Sequence, residues 1–132
     1  MHPQRLLIAD DEPAFRASLA AVLRWAGYRV TSCSPAQAMQ RLLPPGGEPD
    51  RGALPIVVVD PRNRSGLELV RALCTASMDP LAVVGCCDRM VREELTMLGC
   101  KQLDKPVERS ALLECVRSML LPSRIATTRQ TG

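Results

Sequence analysis

The sequence lacks the residue patterns of several functional classes. His2 is its only histidine and none of its six cysteines form a CxxC pair, so the spacing of a zinc site is absent. The lysines and arginines are scattered and the net charge is only +3, so direct binding to nucleic acid is not indicated. No stretch approaches the roughly 18 apolar residues of a membrane span, and the N-terminus lacks the sections of a signal peptide. We therefore expect a cytoplasmic protein without a membrane segment.

The cysteines are expected to be mostly small, buried apolar residues. Cys86 and Cys87 are adjacent, and a redox role for this pair is a minor alternative. Neighbouring cysteines rarely close a disulfide without backbone strain, and cytosolic thiols are usually reduced.

Short apolar runs predict a parallel sheet. The length of 132 residues fits one domain. Continuously apolar runs at residues 6–9, 56–59 and 81–84 are typical of strands that are buried on both faces. Further strands are predicted at 28–33 and, from a weaker pattern, at 101–103. A sheet of five parallel strands is therefore the simplest interpretation.

Helical periodicity predicts five helices between and after these strands. The first begins near Pro13 and is ended by Gly27, and the second covers residues 35–43. The remaining three carry apolar positions at helical spacing around residues 67–74, 91–98 and 112–119. Five β-α units predict a flavodoxin-like, doubly wound α/β fold with strand order 2-1-3-4-5.

Two segments are predicted to lie outside these elements. Residues 44–54 are rich in proline and glycine and are expected to form an exposed, flexible loop. Residues 122–132 are polar without an apolar period and are expected to be a disordered tail or a linker remnant. The predicted domain is therefore residues 1–121.

Charged residues follow three of the predicted strands. Asp10 and Asp11 follow the first, Asp60 follows the third and Lys105 follows the fifth. The carboxyl ends of parallel strands meet at one edge of a sheet, and ligands bind there where the strand order reverses. Clustered carboxylates repel one another unless a cation neutralises them, and oxygen ligands suit Mg²⁺. The alternative is that each residue only caps a helix, ends a turn or is solvated.

Three sequence blocks resemble the signature blocks of bacterial response-regulator receiver domains. They are LIADDE at 7–12, VVVD at 57–60 and DKP at 104–106, and the resemblance spans about residues 5–121. It implies that Asp60 accepts a phosphoryl group from a histidine kinase or a phosphotransfer domain. Such a domain is a phosphoacceptor in two-component signalling and not an enzyme with turnover.

The resemblance also implies a ligand set and a partner surface. Asp11, Asp60 and the backbone carbonyl of Arg62 would hold Mg²⁺, with Asp10 assisting, and Lys105 would neutralise phosphoryl charge. The peptide bond between Lys105 and the following proline is expected to be cis. The fourth helix, fifth strand and fifth helix would face an output domain or a second copy in a homodimer.

The chain departs from the receiver pattern at the positions that switch the domain. Gly85 stands where a Thr or Ser is usual, and shifting the alignment by one residue gives Cys86. Gln102 stands where an aromatic residue is usual, and the glycine after Asp60 comes early, at Gly66, so the intervening loop is shortened. We therefore expect the phosphoryl chemistry to be retained and its coupling to the partner surface to be altered.

Two other functional classes remain as alternatives. A phosphorylation-independent interaction scaffold would explain the altered switch positions, but gives no reason to keep clustered charges in the pocket. A hydrolase with an aspartyl nucleophile is disfavoured because no second acid lies two residues after Asp60.

Overall fold

The computed structural model describes residues 5–85 and 88–121. Within these residues the chain alternates between five strands and five helices. The elements are β1 (Arg5–Ala9), α1 (Pro13–Trp25), β2 (Arg29–Cys33), α2 (Pro35–Leu42), β3 (Ala53–Val59), α3 (Ser65–Thr75), β4 (Leu81–Val84), α4 (Arg89–Met97), β5 (Lys101–Asp104) and α5 (Arg109–Met119).

The five strands form one parallel sheet in the order β2-β1-β3-β4-β5, which confirms the predicted fold and topology. Successive residues of a strand point to opposite faces, and the sheet therefore has two cores. Leu6 and Ile8 of β1 pack in a core with α1 and α5, whereas Leu7 and Ala9 pack in a core with α2, α3 and α4. None of the helices in the described ranges is long and apolar enough to cross a membrane.

The first helix shows how local sequence sets an element of the site. Pro13 lies in its first turn, where the missing amide hydrogen costs nothing. Leu19 and Leu23 are buried against the sheet. Gly27 follows the helix with a φ of +100°, a conformation that residues with a Cβ rarely adopt. The helix therefore begins and ends as predicted, and its N-terminus stays beside the end of β1.

The third strand begins earlier than predicted. The prediction placed residues 53 and 54 in an exposed loop, and it was wrong there because the pairing with β1 continues past the apolar run. Ala53 pairs with Arg5, and Leu54 pairs with Leu6. Asp50 stabilises the start of β3, since its carboxylate accepts hydrogen bonds from the Arg5 guanidinium at 2.9 Å and from the Gly52 amide at 3.0 Å.

Several other boundaries differ from the predicted ones by one residue, whereas α3, α4 and α5 begin two or three residues before the first apolar position predicted for them. β2 begins at Arg29, α2 ends at Leu42 and β5 extends to Asp104. The polar tail at 122–132 and the Cys86–Cys87 pair lie outside the described residues.

The cysteines of the described ranges are packed in the two cores. Cys33 and Cys115 are buried, as expected for small apolar side chains. Cys74 and Cys100 are half-buried, and their sulfur atoms lie 3.6 Å apart. Burial, together with the neighbouring Cys74 thiol, raises the pKa of Cys100 to about 12. This thiol is therefore protonated and unreactive near neutral pH.

The close contact of Gly66 with β3 generates a stability prediction. A Cβ at Gly66 would lie 2.5 Å from the backbone oxygen of Val58, which cannot move without disturbing the sheet. Gly66→Ala is expected to lower the free energy of unfolding by about 1–3 kcal/mol, as overpacked sites do. Urea denaturation measures this, with Gly85→Ala as the control because its Cβ would meet nothing closer than 3.6 Å. Equal stability of the two variants would contradict the packing argument.

Candidate functional site

The carboxylates that follow β1 and β3 line one cavity. Asp10, Asp11 and Asp60 border a space of about 350 Å³, and the rest of its wall is formed by Glu12, Pro13, Val58, Asn63 and Gly66. The predicted convergence at the carboxyl edge of the sheet is therefore present. In the part of the chain that the structure describes, however, no three acidic, histidine or cysteine side chains are close enough to hold a metal ion as they stand. The side chains of the three aspartates instead contact different neighbouring residues.

Asp10 carries the most buried charge of the site. Its exposed fraction is only 6%, and it is the buried charged residue among the apolar residues of the core. One carboxylate oxygen accepts the amide hydrogen of Glu12 at 3.1 Å, but Oδ2 is buried without a hydrogen-bond partner. Burial raises the pKa of Asp10, and the positive charge of the neighbouring Lys105 offsets part of this rise. An unpartnered carboxylate oxygen beside an acidic cavity is a fitting ligand for a cation.

Asp11 is held by the loop between β3 and α3. Its Oδ2 accepts a hydrogen bond from the Ser65 hydroxyl at 2.7 Å and another from the Asn63 side-chain amide. The amide oxygen of Asn63 in turn accepts the Ser65 backbone amide at 3.0 Å. The sequence analysis missed both residues, because nothing in a Pro-Arg-Asn-Arg-Ser segment indicates which distant carboxylate it contacts.

Asp60 is paired with the side chain of Arg62. Oδ1 accepts hydrogen bonds from the Arg62 backbone amide at 2.9 Å and from Nε at 3.2 Å, and Oδ2 accepts one from Nη2 at 2.9 Å. These bonds, those of the side chain first, lower the pKa of Asp60, so its carboxylate is ionised at neutral pH. The resemblance implied a role for the Arg62 carbonyl, and the structure adds that its guanidinium covers both oxygens of the expected phosphoacceptor.

Lys105 directly follows β5 and is close enough to Asp10 and Asp60 to lower the pKa of both carboxyl groups. Its backbone amide donates to the Val84 carbonyl at 3.0 Å, and the peptide bond to Pro106 is cis, as expected. Its ammonium lies over the ring of Phe15 on α1, 3.8 Å from the ring centroid. Lys105 forms no ion pair with the residues of the two described ranges.

The atypical switch positions have identifiable surroundings. Gly85 ends β4, its amide donates to the Val59 carbonyl at 3.1 Å, and a Cβ there would lie 3.7 Å from Nζ of Lys105. A side chain at this position would therefore point at the cavity lysine without a clash. Gln102 is half-buried in β5 and donates a hydrogen bond to the Thr96 hydroxyl of α4 at 3.1 Å. Cys86, the alternative switch position, lies outside the described residues.

The face formed by α4 and β5 carries both charged pairs and exposed apolar side chains. Arg92 of α4 forms an ion pair with Asp104 at the end of β5, with a separation of 2.7 Å. Glu94 of α4 pairs with Arg71 of α3. Met90 and Met97, one helical heptad apart, are exposed on α4. This is the face that the resemblance assigned to partners.

The fold and the site define a doubly wound α/β domain with an acidic pocket at its topological switch point. Solved structures of response-regulator receiver domains have the same architecture. No family model and no curated protein matches the sequence.

Three solved structures illustrate the similarity. A putative response regulator from Chloroflexus aurantiacus shares 27% sequence identity, with 90% of this chain and 98% of that chain covered and a TM-score of 0.73. A CheY-like receiver domain protein from Methanospirillum hungatei shares 21% identity, with 99% and 100% covered and a TM-score of 0.72. The Vibrio cholerae chemotaxis protein CheY4 shares 21% identity, with 90% and 100% covered and a TM-score of 0.72. The chain therefore has the receiver-domain fold that its motifs indicated.

The burial of Asp10 generates a pH-dependence prediction. A carboxyl group whose pKa is raised by folding stabilises the folded state only while it is protonated, and this stabilisation is lost as the pH rises from the unfolded pKa, about 4, through the folded value. Asp10→Asn is therefore expected to raise the free energy of unfolding at pH 7, and the gain should vanish below about pH 4. Urea denaturation across this range measures it, with Asp79→Asn at an exposed position as the control. An increase in the free energy of unfolding that does not depend on pH would contradict a raised pKa of Asp10 in the folded state.

The pairing of Asp60 with Arg62 generates a second prediction. Arg62→Gln removes the guanidinium hydrogen bonds, so the pKa of Asp60 should rise towards the ordinary value of an aspartate. Titration of the Asp60 carboxyl carbon by NMR measures this. Arg64→Gln makes the same charge change two residues further along the loop and should leave the pKa of Asp60 closer to that of the native chain. If both variants shift the pKa of Asp60 equally, the contact with Arg62 is not the cause of its low pKa.

Proposed function

We propose that this receiver domain is a phosphoacceptor of two-component signalling, with Asp60 as the site of phosphorylation and Mg²⁺ bound between Asp10, Asp11 and Asp60. The observation that carries the proposal is the buried, unpartnered Oδ2 of Asp10 in a wall of the acidic cavity. A buried carboxylate oxygen without a partner costs free energy that a bound cation would offset.

The donor set fits Mg²⁺ in its chemistry. All side-chain donors of the cavity are oxygens, and Mg²⁺ is usually bound by one or two carboxylates together with waters and a phosphate oxygen. Asp11 would release the hydrogen bonds of Asn63 or Ser65, and Asp60 would release the guanidinium of Arg62. The Arg62 backbone carbonyl completes the proposed set. These rearrangements involve side chains at the surface and leave the strands in place.

Phosphoryl transfer would use the carboxylate of Asp60 and the ammonium of Lys105. The ionised carboxylate of Asp60 would attack phosphorus, forming an oxygen–phosphorus bond as the nitrogen–phosphorus bond of a phosphohistidine breaks and the electron pair returns to the imidazole. When bound, Mg²⁺ would neutralise charge on the equatorial phosphoryl oxygens. The ammonium of Lys105 would supply further positive charge after leaving the Phe15 ring. The reaction needs positioning and charge neutralisation more than covalent work by the protein.

The proposed partners follow from this role. A histidine kinase or a phosphotransfer domain would donate the phosphoryl group, and the α4, β5 and α5 face would meet an output domain or a second copy of the chain. Signalling of this kind would place the protein in the cytoplasm. The chain would then act as a phosphorylated intermediate and not as an enzyme that turns over a substrate.

Intact-mass spectrometry tests the proposal. After incubation with acetyl phosphate and Mg²⁺, the native chain should gain the mass of one phosphoryl group, and EDTA should abolish the gain. Asp60→Asn should gain nothing, because the nucleophile is gone, whereas Asp79→Asn should be modified like the native chain. If neither acetyl phosphate nor a kinase donor modifies the native chain, the phosphorylation-independent scaffold is the better function.

A further inference from the structure

Phe15 makes a contact whose role the proposed function leaves open. The chain has a single phenylalanine and two lysines, Lys101 and Lys105. The one phenylalanine and the cavity lysine meet, with Nζ of Lys105 3.8 Å from the centre of the Phe15 ring. This distance is well within the reach of a cation–π interaction, in which the negative face of the ring attracts the ammonium.

The ring competes with the carboxylates for the ammonium. Lys105 is close enough to Asp10 and Asp60 to lower the pKa of both groups. It nevertheless forms no ion pair with either of them, nor with any other residue in 5–85 or 88–121. Asp60 has the Arg62 guanidinium as its partner instead. At rest, the ammonium of Lys105 therefore contacts an aromatic ring and forms no ion pair with an acid of the described residues.

The backbone around Phe15 fixes the ring in this place. Phe15 lies in the first turn of α1, four residues after Asp11, and it packs against the core that α1 shares with α5. Gly85 also lies near this lysine: it has no side chain, and Cδ of Lys105 lies 3.6 Å from where a Cβ of Gly85 would be. The Lys105 side chain therefore lies close to both the Phe15 ring and the backbone of Gly85, without a hydroxyl beside it from residue 85.

We propose that Phe15 is a positioning residue for Lys105: its ring holds the ammonium away from the carboxylates at rest and releases it when an anion occupies the cavity. This inference rests on the proposed function, because the phosphoryl group on Asp60 is the anion that would draw the lysine inward. The ring then sets how readily Lys105 becomes available, and its removal favours the inward position.

NMR of the lysine side chains tests the resting contact without any phosphorylation. The ring should shift the Hε and Cε signals of Lys105 relative to those of Lys101, which serves as the reference within the same molecule. Phe15→Leu should abolish this difference, and Phe15→Tyr should retain it because the ring remains. Addition of Mg²⁺ and beryllofluoride to the native chain should reduce the difference, as the ammonium leaves the ring.

Rates of modification by acetyl phosphate test the consequence. A small donor avoids any effect of the substitution on the docking of a kinase. Phe15→Leu should be modified about two- to five-fold faster than the native chain, which corresponds to the loss of an exposed cation–π contact, and Phe15→Tyr should keep the slower rate.

The outcomes separate this inference from the proposed function. Equal Lys105 signals in the native chain and in Phe15→Leu would overturn the ring contact, and an equal or slower rate in Phe15→Leu would overturn the competition. If the native chain takes no phosphoryl group from any donor, the proposed function fails and the release step fails with it. In that case the NMR signals of Lys105 in the unphosphorylated chain still decide whether the Phe15 ring holds the lysine.

Discussion

The carboxylate of Asp10 is placed inside the protein by the sheet itself, since it follows a strand whose every apolar residue is buried. Parallel pairing with β2 and β3 fixes the end of β1, and the backbone amide of Asp10 donates to the Cys33 carbonyl at 3.1 Å. The backbone that carries this buried side chain is therefore tied to the sheet. One of its oxygens receives a local amide hydrogen bond, and the other receives nothing. The remainder of the site is an arrangement of charges around this fixed negative group.

Asp11, Asp60 and Lys105 each have a substitute partner at rest. Asp11 has the amide of Asn63 and the hydroxyl of Ser65, Asp60 has the guanidinium of Arg62, and Lys105 has the ring of Phe15. The ion pair is largely exposed, with Arg62 85% and Asp60 34% accessible, so it contributes little to stability. Contacts of this kind can be exchanged at low cost for a cation and a phosphoryl group. Because these contacts are weak, the side chains of the site can change partners while the sheet below them stays unchanged.

The fold could be predicted from the sequence because strands that are buried on both faces appear as continuous apolar runs. Helical connections between such strands then allow only a few sheet topologies. The sequence was also sufficient to bring Asp10, Asp11 and Asp60 to one cavity, because strand ends share an edge. It was insufficient for the start of β3, where pairing with β1 extends through Pro55 beyond the apolar run.

Side-chain pairing could not be predicted for a different reason. The contact of Lys105 with Phe15 depends on the distance between residues far apart in the chain, and that of Arg62 with Asp60, two residues earlier, depends on the rotamers of both side chains. The missing hydroxyl at Gly85 was visible in the sequence, whereas the room beside Lys105 required coordinates.

The most direct test of the account is a crystal structure of the protein with Mg²⁺ and beryllofluoride. The account predicts beryllofluoride on Asp60, a Mg²⁺ ion bound by Asp11, Asp60 and the Arg62 carbonyl with Asp10 as a direct or water-mediated partner, and the Arg62 guanidinium displaced. A structure at saturating concentrations in which Asp60 keeps Arg62 as its partner, and the oxygen of Asp10 gains no cation or water, would contradict it.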